Sequence, residues 1–191
     1  NLHVITSRET LTKAELIMAG EPSRETVIRR KLSTIQGYDY VLVDCAPSLG
    51  LLNQNALLYC HEAFIPVATE YLSVEGLKKI IGAINTINDV FDHDLKIGKV
   101  IPTLYDSRIK HCRNALALIQ NEFYEAATEP IRINSKLKEA PEHHTSIFDH
   151  DKRSNGAKDY QQLVNHILQE ESDLQAPDID FTSGGMVVST F

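Results

Sequence analysis

Apolar residues in this chain fall into short, uninterrupted runs, separated by longer stretches in which apolar residues recur with helical spacing. The runs are rich in Val and Ile and do not alternate between apolar and polar residues. That pattern is typical of strands covered on both faces of a sheet. Such runs occur at 2–6, 40–44, 63–68, 97–105 and, more weakly, 129–133.

The intervening stretches predict helices. Segment 73–91 is the clearest, because Ser73 can cap its start and an apolar stripe follows at helical offsets. Further helices are predicted at 11–19, 23–35, 107–124 and 156–170, with another directly after Gly50. This alternation predicts an α/β fold with a doubly wound, mostly parallel sheet and helices on both faces. In this architecture ligands bind beyond the carboxyl ends of the strands, where we look for chemistry.

The length of the chain favours one domain. With 191 residues, 42% of them hydrophobic, the chain can bury one sizeable core. We predict that this domain spans residues 1–170. Residues 171–191 are predicted to form an acidic, flexible tail, because they contain Pro177 and the Gly184-Gly185 pair and show no sustained hydrophobic period.

Composition excludes several classes of protein. Cys45, Cys60 and Cys112 form no C-x-x-C pair, which argues against a disulfide framework or a zinc site, and no general base accompanies Cys45. No run approaches the roughly 20 apolar residues that span a bilayer, and no export signal is recognisable. We therefore expect a soluble, cytoplasmic protein. His143 and His144 are adjacent and lack metal-ligand spacing, so we expect surface histidines.

Charge is distributed unevenly along the chain. The net charge is −7, which by itself disfavours a nucleic-acid partner. However, residues 96–138 carry eight Lys or Arg against four acids, whereas residues 170–191 carry five acids and no Lys or Arg. The basic segment is either a solvated helix face or a surface that binds phosphates without reading bases.

The run at 40–44 ends in Asp44, within the stretch YDYVLVDCAPSLG over residues 38–50. A carboxylate at the end of a buried strand is what a nucleotide hydrolase needs to hold magnesium, because the strand fixes its position. The same arrangement also serves as a simple polar end to a strand. Pro47 stiffens the loop that follows, and Gly50 permits an unusual backbone angle.

This stretch resembles the Walker B and switch II segment of ParA/Soj-type partition ATPases, whose usual form is Y-D-x-h-h-h-D-x-P-P-S-L-G, where h is hydrophobic. The chain departs from it once, at Ala46, where the family has its first proline. Four further segments resemble the family in the same order along the chain: AELIMAGEPSRETVIRRKL, IPVATEYLSVEGLKKI, TLYDSR and NSKLKEAPEHHTSIFDHDKRSNGAKDY. The resemblance extends from Asn1 to about Leu168 and implies a P-loop NTPase-like fold.

The resemblance also implies roles for individual residues. Asp44 is similar to the family's catalytic-site aspartate, which holds Mg²⁺, usually through a bound water. Pro47 and Ser48 resemble the nucleotide-sensing switch II loop, whereas Asn134 and Pro141 resemble residues beside the adenine. The alternative for Asn134 is a turn residue with local hydrogen bonds. The residues that resemble non-specific DNA-binding positions of the family, or support them, are Arg108 and Lys136, then Arg113, Lys138, Lys152 and Arg153.

One family motif is absent from the sequence. The family's phosphate-binding loop, K-G-G-x-G-K-T, and the general form G-x-x-x-x-G-K-S/T occur nowhere in the 191 residues. Phosphoryl transfer depends on positioning and charge stabilisation, so we expect no ATP hydrolysis by this chain alone. We favour a domain incomplete at its N-terminus, as a fragment of a longer partition ATPase, over a naturally loop-less relative.

The resemblance implies a ParA-type ATPase of plasmid or chromosome partition. Such a protein binds ATP and Mg²⁺, forms a nucleotide-dependent homodimer, binds nucleoid DNA non-specifically and is released by a ParB-type partner. Two alternatives remain open: a loop-less, non-hydrolysing interaction module and a MinD-type cell-division ATPase that associates with membranes. The MinD branch ends in a basic amphipathic helix, whereas the last residues here are acidic, so we expect no membrane binding.

Overall fold

The computed structural model describes residues 2–46, 50–174 and 185–189. Its helices are α1 (Leu11–Met18), α2 (Val27–Leu32), α3 (Leu51–Tyr59), α4 (Tyr71–Phe91), α5 (Lys110–Glu122), α6 (Ser135–Glu142), α7 (Ile147–His150) and α8 (Asn155–Leu174), with a short 3-10 turn at Arg24–Thr26. Its strands are β1 (Leu42–Cys45), β2 (Cys60–Ala68), β3 (Lys96–Thr103) and β4 (Gly185–Ser189). Within these described ranges the strands form one parallel sheet in the order β1-β4-β2-β3.

Helices cover both faces of the sheet. Successive side chains of a strand point to opposite sides, so each strand contributes side chains to both faces. On one face, Ala63, Ile65 and Val67 of β2 pack into a core with residues of α3, α4 and α5. On the other face, Phe64 packs with residues of α6 and α8. Full burial of a side chain such as Ile65 contributes about 1.5–3 kcal/mol. The predicted α/β fold, with a parallel sheet between two helical layers, is confirmed.

The prediction of a strand at residues 2–6 is wrong. Residues 2–6 lie in irregular backbone, and the apolar side chains of Leu2 and Ile5 are largely exposed. The run has no ladder partner among the residues described, and the Tyr38 hydroxyl contacts Nδ1 of His3 at 2.7 Å instead. A strand needs a free neighbouring edge in register, which an apolar run does not specify by itself.

β4 is a strand that the sequence pattern does not predict. It lies between β1 and β2, where Val187 has Val43 on one side and Ala63 on the other. The expected flexible tail therefore does not describe Gly185–Ser189, and α8 continues beyond residue 170 to Leu174. Without β4 the facing edges of β1 and β2 would carry unpaired N–H and C=O groups, which is the physical reason for a strand there.

The helices α6 and α7 were also not predicted. Both are short and rich in polar residues, so they show little hydrophobic periodicity. Each begins at a side-chain cap: Asn134 accepts a hydrogen bond from Lys136 N at 2.8 Å, and Ser146 accepts one from Asp149 N at 3.2 Å. The weak run at 129–133 forms only an isolated bridge, between Arg132 and Tyr105.

The residues that precede α2 and α3 provide no side-chain cap. Side chains from other helices cap the N-termini of α2 and α3 instead. The Asn55 side chain in α3 accepts a hydrogen bond from Ile28 N in α2 at 3.1 Å. In turn, Leu52 N in α3 donates to Oε1 of Glu15 in α1 at 3.3 Å. These bonds satisfy N–H groups that a first helical turn leaves without a partner, so α1, α2 and α3 stabilise one another.

The start of α8 packs closely on α6. A Cβ atom on Gly156 would lie 2.6 Å from Cγ of Leu137, so glycine is required for this approach. Nearby, the Arg132 guanidinium forms an ion pair with Asp159 of α8 at 2.6 Å. Burial acts to raise the pKa of Asp159, but the side-chain and backbone hydrogen bonds that Arg132 donates to this carboxylate lower it by more in total. The pKa of Asp159 is therefore below its ordinary value.

The end of α8 is bonded to the sheet. Glu170 forms an ion pair with Lys99 of β3, whose side chain is only 7% exposed. Glu171 accepts a hydrogen bond from the Tyr40 hydroxyl, which raises the pKa of Tyr40 to about 12.

In residues 2–46, 50–174 and 185–189, no helix has the length and apolar character needed to span a bilayer.

Candidate functional site

The loops that follow the strands meet at one edge of the sheet, because the strands are parallel. Asp44 lies near the end of β1, and Thr69 directly follows β2. Residues Leu104–Arg108 follow β3, and we call them the β3 turn. Asn134 comes after the segment that is bridged to β3. This carboxyl edge therefore carries most of the predicted site residues.

Asp44 is exposed and lies beside Val188 of β4. β1 is an edge strand of the described sheet and Leu42 is exposed, so the prediction that Asp44 sits on a buried strand is wrong. The Asp44 carboxylate makes no hydrogen bond or ion pair with other residues that the structure describes. Its oxygens are accordingly available to a ligand.

The backbone after Asp44 is held by α3. Nδ2 of Asn53 donates a hydrogen bond to Ala46 O at 2.5 Å. The predicted switch residues Pro47 and Ser48 lie outside the described residues. Gly50 has φ −66° and ψ 174°, an extended conformation open to any residue, so the expected unusual backbone angle is not observed.

The surroundings of Asp44 fit a magnesium ion that is held largely by other groups. Mg²⁺ prefers oxygen ligands, and proteins usually bind it with one or two carboxylates while water and phosphate oxygens complete the shell. An unpaired carboxylate at a strand end meets that requirement. Among the residues that the structure describes, no group of three or more His, Cys, Asp or Glu could hold a metal ion.

Thr69 holds the β3 turn from the side of β2. Its hydroxyl donates to Leu104 O at 3.3 Å, and Leu104 has φ 53°, in the left-handed region that leucine rarely adopts. On the other side, Tyr105 N donates to Ile131 O at 3.1 Å, and Ile133 N donates to Tyr105 O at 3.0 Å. The turn is thus hydrogen-bonded to both neighbouring segments of the sheet edge.

Arg108 is paired with Asp106 within the β3 turn. Its Nε donates to Oδ1 at 2.9 Å and its Nη2 to Oδ2 at 2.6 Å. These bonds lower the pKa of Asp106 to about 2 and raise the pKa of Arg108, so both groups are charged at neutral pH. Arg113 of α5 donates to Ser107 O at 2.6 Å, which places a second guanidinium on the same turn.

Asn134 is the N-cap of α6, so local hydrogen bonding occupies its side chain, as the turn-residue alternative expects. Its role beside an adenine stays a prediction. Nζ of Lys136 pairs with Glu139 at 2.6 Å, and Lys138 is exposed on the same helix. Pro141 is exposed in the last turn of α6.

The structure brings the predicted DNA-binding residues together and separates them from Asp44. The β3 turn with Arg108 is hydrogen-bonded to the segment that leads into α6, which carries Lys136. Between Asp44 and that segment lie β4, β2 and β3. With about 4.8 Å between neighbouring strands, the separation is roughly 19 Å.

Two other predictions concern the Cys and His residues. Burial raises the pKa of the Cys45 thiol to about 11, so the thiol stays protonated and is not a nucleophile at neutral pH.

His143 and His144 are exposed, as expected. The ring of His143 stacks on that of His150 with centroids 5.1 Å apart, a pairing that their spacing in the sequence does not indicate.

Thr69 and Asp106 follow predicted strands, where ligands are expected, but the sequence analysis gives neither residue a specific role. Both belong to segments already quoted for their resemblance, VATEY and TLYDSR. The available signal was the spacing of Asp106, two residues before Arg108, because an Asp in a turn readily bonds a residue two positions on. Thr69 gave no such signal, since its partner Leu104 is distant in the chain.

A parallel sheet between two helical layers, with a free carboxylate and basic loops at its carboxyl edge, defines the class of α/β nucleotide-binding domains. Residues 1–97 match the AAA domain family. The chain is 31% identical over 173 residues to the chromosome-partitioning ATPase Soj of Treponema pallidum, covering 90% of this chain and 68% of that protein. It is 34% identical over 169 residues to the sporulation initiation inhibitor protein Soj of Bacillus subtilis, covering 87% and 67%. The chain belongs to the ParA/Soj family of partition ATPases.

A solved structure shares the fold. Cobyrinic acid a,c-diamide synthase from Mycobacterium smegmatis, crystallised with ADP and magnesium, matches with a TM-score of 0.68 and 28% sequence identity. The match covers 85% of this chain and 60% of that chain. This chain therefore spans between 60% and 68% of the length of the three proteins compared.

Proposed function

We propose that this chain is part of the machinery of a ParA-type partition ATPase, which binds ATP and Mg²⁺, dimerises on the nucleotide and binds nucleoid DNA without sequence preference. A ParB-type partner would stimulate hydrolysis and release the DNA, so that a plasmid or chromosome is moved. The observation that carries the proposal is the unpaired carboxylate of Asp44 at the carboxyl edge of a sheet in a chain of this family.

The nucleotide is contacted at both ends of the edge in this proposal. Asp44 holds Mg²⁺, usually through water, and the bound ion supplies charge stabilisation at the phosphates. Pro47 and Ser48 respond to the nucleotide state, and Asn134 and Pro141 lie beside the adenine. Because Asn134 already caps α6, we expect its amide nitrogen to face the base, since its oxygen is occupied.

DNA binding is proposed for the basic residues around the β3 turn. Arg108 and Arg113 lie on the turn, whereas Lys136 and Lys138 lie on α6, which follows the segment bonded to it. Side chains of this kind neutralise phosphates and release counterions, which gives affinity without base readout. Lys152 and Arg153 in the loop before α8 are supporting candidates.

A phosphate-binding loop is needed for the hydrolysis that we propose. The 191 residues contain no such motif, and the donors that cradle phosphates provide most of the stabilisation in phosphoryl transfer. We therefore propose that the chain acts as a fragment and that the loop is provided by another segment of the natural gene product. The 191 residues alone would not hydrolyse ATP.

A variant of Asp44 tests the proposal. In the natural gene product, Asp44→Asn is expected to lower kcat for ATP hydrolysis at least about 100-fold, because the amide cannot replace a carboxylate charge near the metal. Phosphate release should be measured with Mg²⁺ and saturating duplex DNA. Asp39→Asn is the matched control, since Asp39 is exposed just before β1, and its kcat should stay within about twofold of wild type.

Two results would count against the proposal. If the wild-type gene product does not hydrolyse ATP, the enzyme assignment fails. If Asp44→Asn hydrolyses ATP as fast as Asp39→Asn, the role of Asp44 fails while the assignment stands.

A second candidate is a non-hydrolysing interaction module. Calorimetry with ATP and Mg²⁺ on the natural gene product separates the two functions: the ATPase binds nucleotide and the module does not.

A further inference from the structure

The two members of the Asp106–Arg108 pair differ in their freedom to move. The Asp106 side chain is only 12% exposed, whereas the Arg108 side chain is 86% exposed. Oδ1 of Asp106 also accepts a hydrogen bond from the backbone N–H of Arg108 at 3.0 Å, so the carboxylate is bonded to the turn itself. The guanidinium sits on a long, flexible side chain and has no comparable restraint.

The backbone that carries Asp106 is fixed as well. Asp106 O accepts a hydrogen bond from Ile109 N at 3.1 Å, and the preceding residues are bonded to Thr69 and to Ile131. Leu104 remains in its left-handed conformation only because the surrounding structure over-determines it. The carboxylate of Asp106 is therefore the stationary member of the pair, and any separation moves Arg108.

The pair leaves Arg108 with little to offer a phosphate. Nε and Nη2 together form the fork with which a guanidinium grips an oxyanion, and both are bonded to Asp106. The charge of the pair as a whole is zero. By contrast, Arg113 and Lys138 have no ion pair with an acid among the described residues. Lys136 is also paired with an acid, Glu139, but that side chain is 36% exposed, whereas Asp106 is 12% exposed. Arg108 is thus the basic side chain of this surface that the more buried acid holds back.

We propose that Asp106 restrains Arg108 in a closed pair, and that Arg108 must leave Asp106 before this surface can grip a DNA phosphate with the guanidinium fork. Asp106 acts as a positioning residue that weakens DNA binding, rather than as a contact to DNA. The inference rests on the proposed non-specific DNA binding and gives Asp106 a role in setting the strength of that binding.

The test compares variants of the natural gene product with ATP and Mg²⁺ on a fluorescently labelled duplex of mixed sequence, with dissociation constants from anisotropy at several NaCl concentrations. Asp106→Asn keeps an oxygen for the Arg108 N–H but removes the charge. It is expected to tighten binding about fivefold at low salt and to make the slope of log K against log salt more negative by about 0.9, the contribution of one extra phosphate contact. Asp106→Ser serves as a second variant if Asp106→Asn unfolds, which circular dichroism reports.

Asp94→Asn is the matched control. It makes the same change in net charge at an exposed residue before β3, about 26 Å from the turn after that strand and beyond the Debye length. Its affinity should stay within about 1.5-fold of wild type. In an Arg108→Ala background, Asp106→Asn should give no gain, because the side chain that it frees is gone.

Different failures point to different parts of the account. If the natural gene product with ATP and Mg²⁺ binds no DNA at any salt concentration, the proposed DNA binding fails and the inference fails with it. If wild type binds but Asp106→Asn gains no more than Asp94→Asn, or gains equally in the Arg108→Ala background, then only the restraint of Arg108 is disproved.

Discussion

Asn55→Leu is expected to lower the free energy of unfolding by about 2–4 kcal/mol. Asn55 is fully buried in α3, and its side chain accepts a hydrogen bond from Ile28 N and donates to Arg24 O at 2.8 Å. Leucine has a similar size but forms neither bond, so it leaves an N–H and a C=O without a partner, each at about 1–3 kcal/mol. Partial exposure of both backbone groups to water limits the loss.

Urea denaturation measures this effect, with Asn165→Leu as the matched control. Asn165 is exposed on α8 and accepts one hydrogen bond, from Gln161, so the same substitution there should cost less than about 0.5 kcal/mol. Equal midpoints for the two variants would show that Asn55 does not join α2 to α3. Hydrogen exchange tests the cap that Asn55 provides to α2. In Asn55→Leu, exchange at Ile28 N should become faster than in wild type.

Glu170→Gln is expected to destabilise the protein by about 2–4 kcal/mol, although Glu170 is 42% exposed. The reason is its partner: the Lys99 side chain is 7% exposed, and loss of the carboxylate leaves that ammonium buried without a counter-charge. Replacing both members of a buried pair is much less costly than breaking the pair. The double variant Lys99→Met with Glu170→Gln should therefore lie within about 1 kcal/mol of wild type.

The control for this pair is Glu75→Gln, which removes an exposed glutamate 4.0 Å from Lys78. Its effect on the urea midpoint should be below about 0.5 kcal/mol, as for other surface pairs. If the double variant is less stable than Glu170→Gln alone, the ion pair is not the source of the loss.

Much of the fold could be predicted from the sequence, because buried parallel strands and amphipathic helices leave clear periodic patterns. The apolar run at 63–68 and the stripe in 73–91 both correspond to observed elements, β2 and α4. What could not be predicted depends on partners distant in the chain. β4 exists because two strand edges face each other, and residues 2–6 lack such an edge among the described residues.

The candidate site was predictable to a similar degree. The position of Asp44 at a strand end and of Arg108 after another strand follows from the α/β pattern alone. The pairing of Arg108 with Asp106 and the bond from Thr69 to Leu104 depend on the geometry of the β3 turn. The exposure of β1 also lies beyond sequence reasoning, because an apolar run does not reveal whether its strand is central or at an edge.

The arrangement of this edge suggests how nucleotide and DNA binding are connected in the proposed function. Thr69 follows β2, in the interior of the sheet edge, and its hydroxyl holds the turn that carries Arg108. A nucleotide-dependent shift at the interior of the edge would therefore reach the basic residues through one hydrogen bond. Coupling between two sites requires a contiguous physical connection with alternative states, and this bond is a candidate for it.

DNA affinity of the natural gene product, compared with ATP and Mg²⁺, with ADP and Mg²⁺ and without nucleotide, tests the central claim most directly. We expect binding with ATP to be at least about tenfold tighter than with ADP, within the range of allosteric coupling between two sites. Asp44→Asn should abolish that difference if Asp44 holds the cation. Equal affinity under all three conditions, or no DNA binding with ATP, would contradict the assignment of this chain to an ATP-dependent DNA-binding switch.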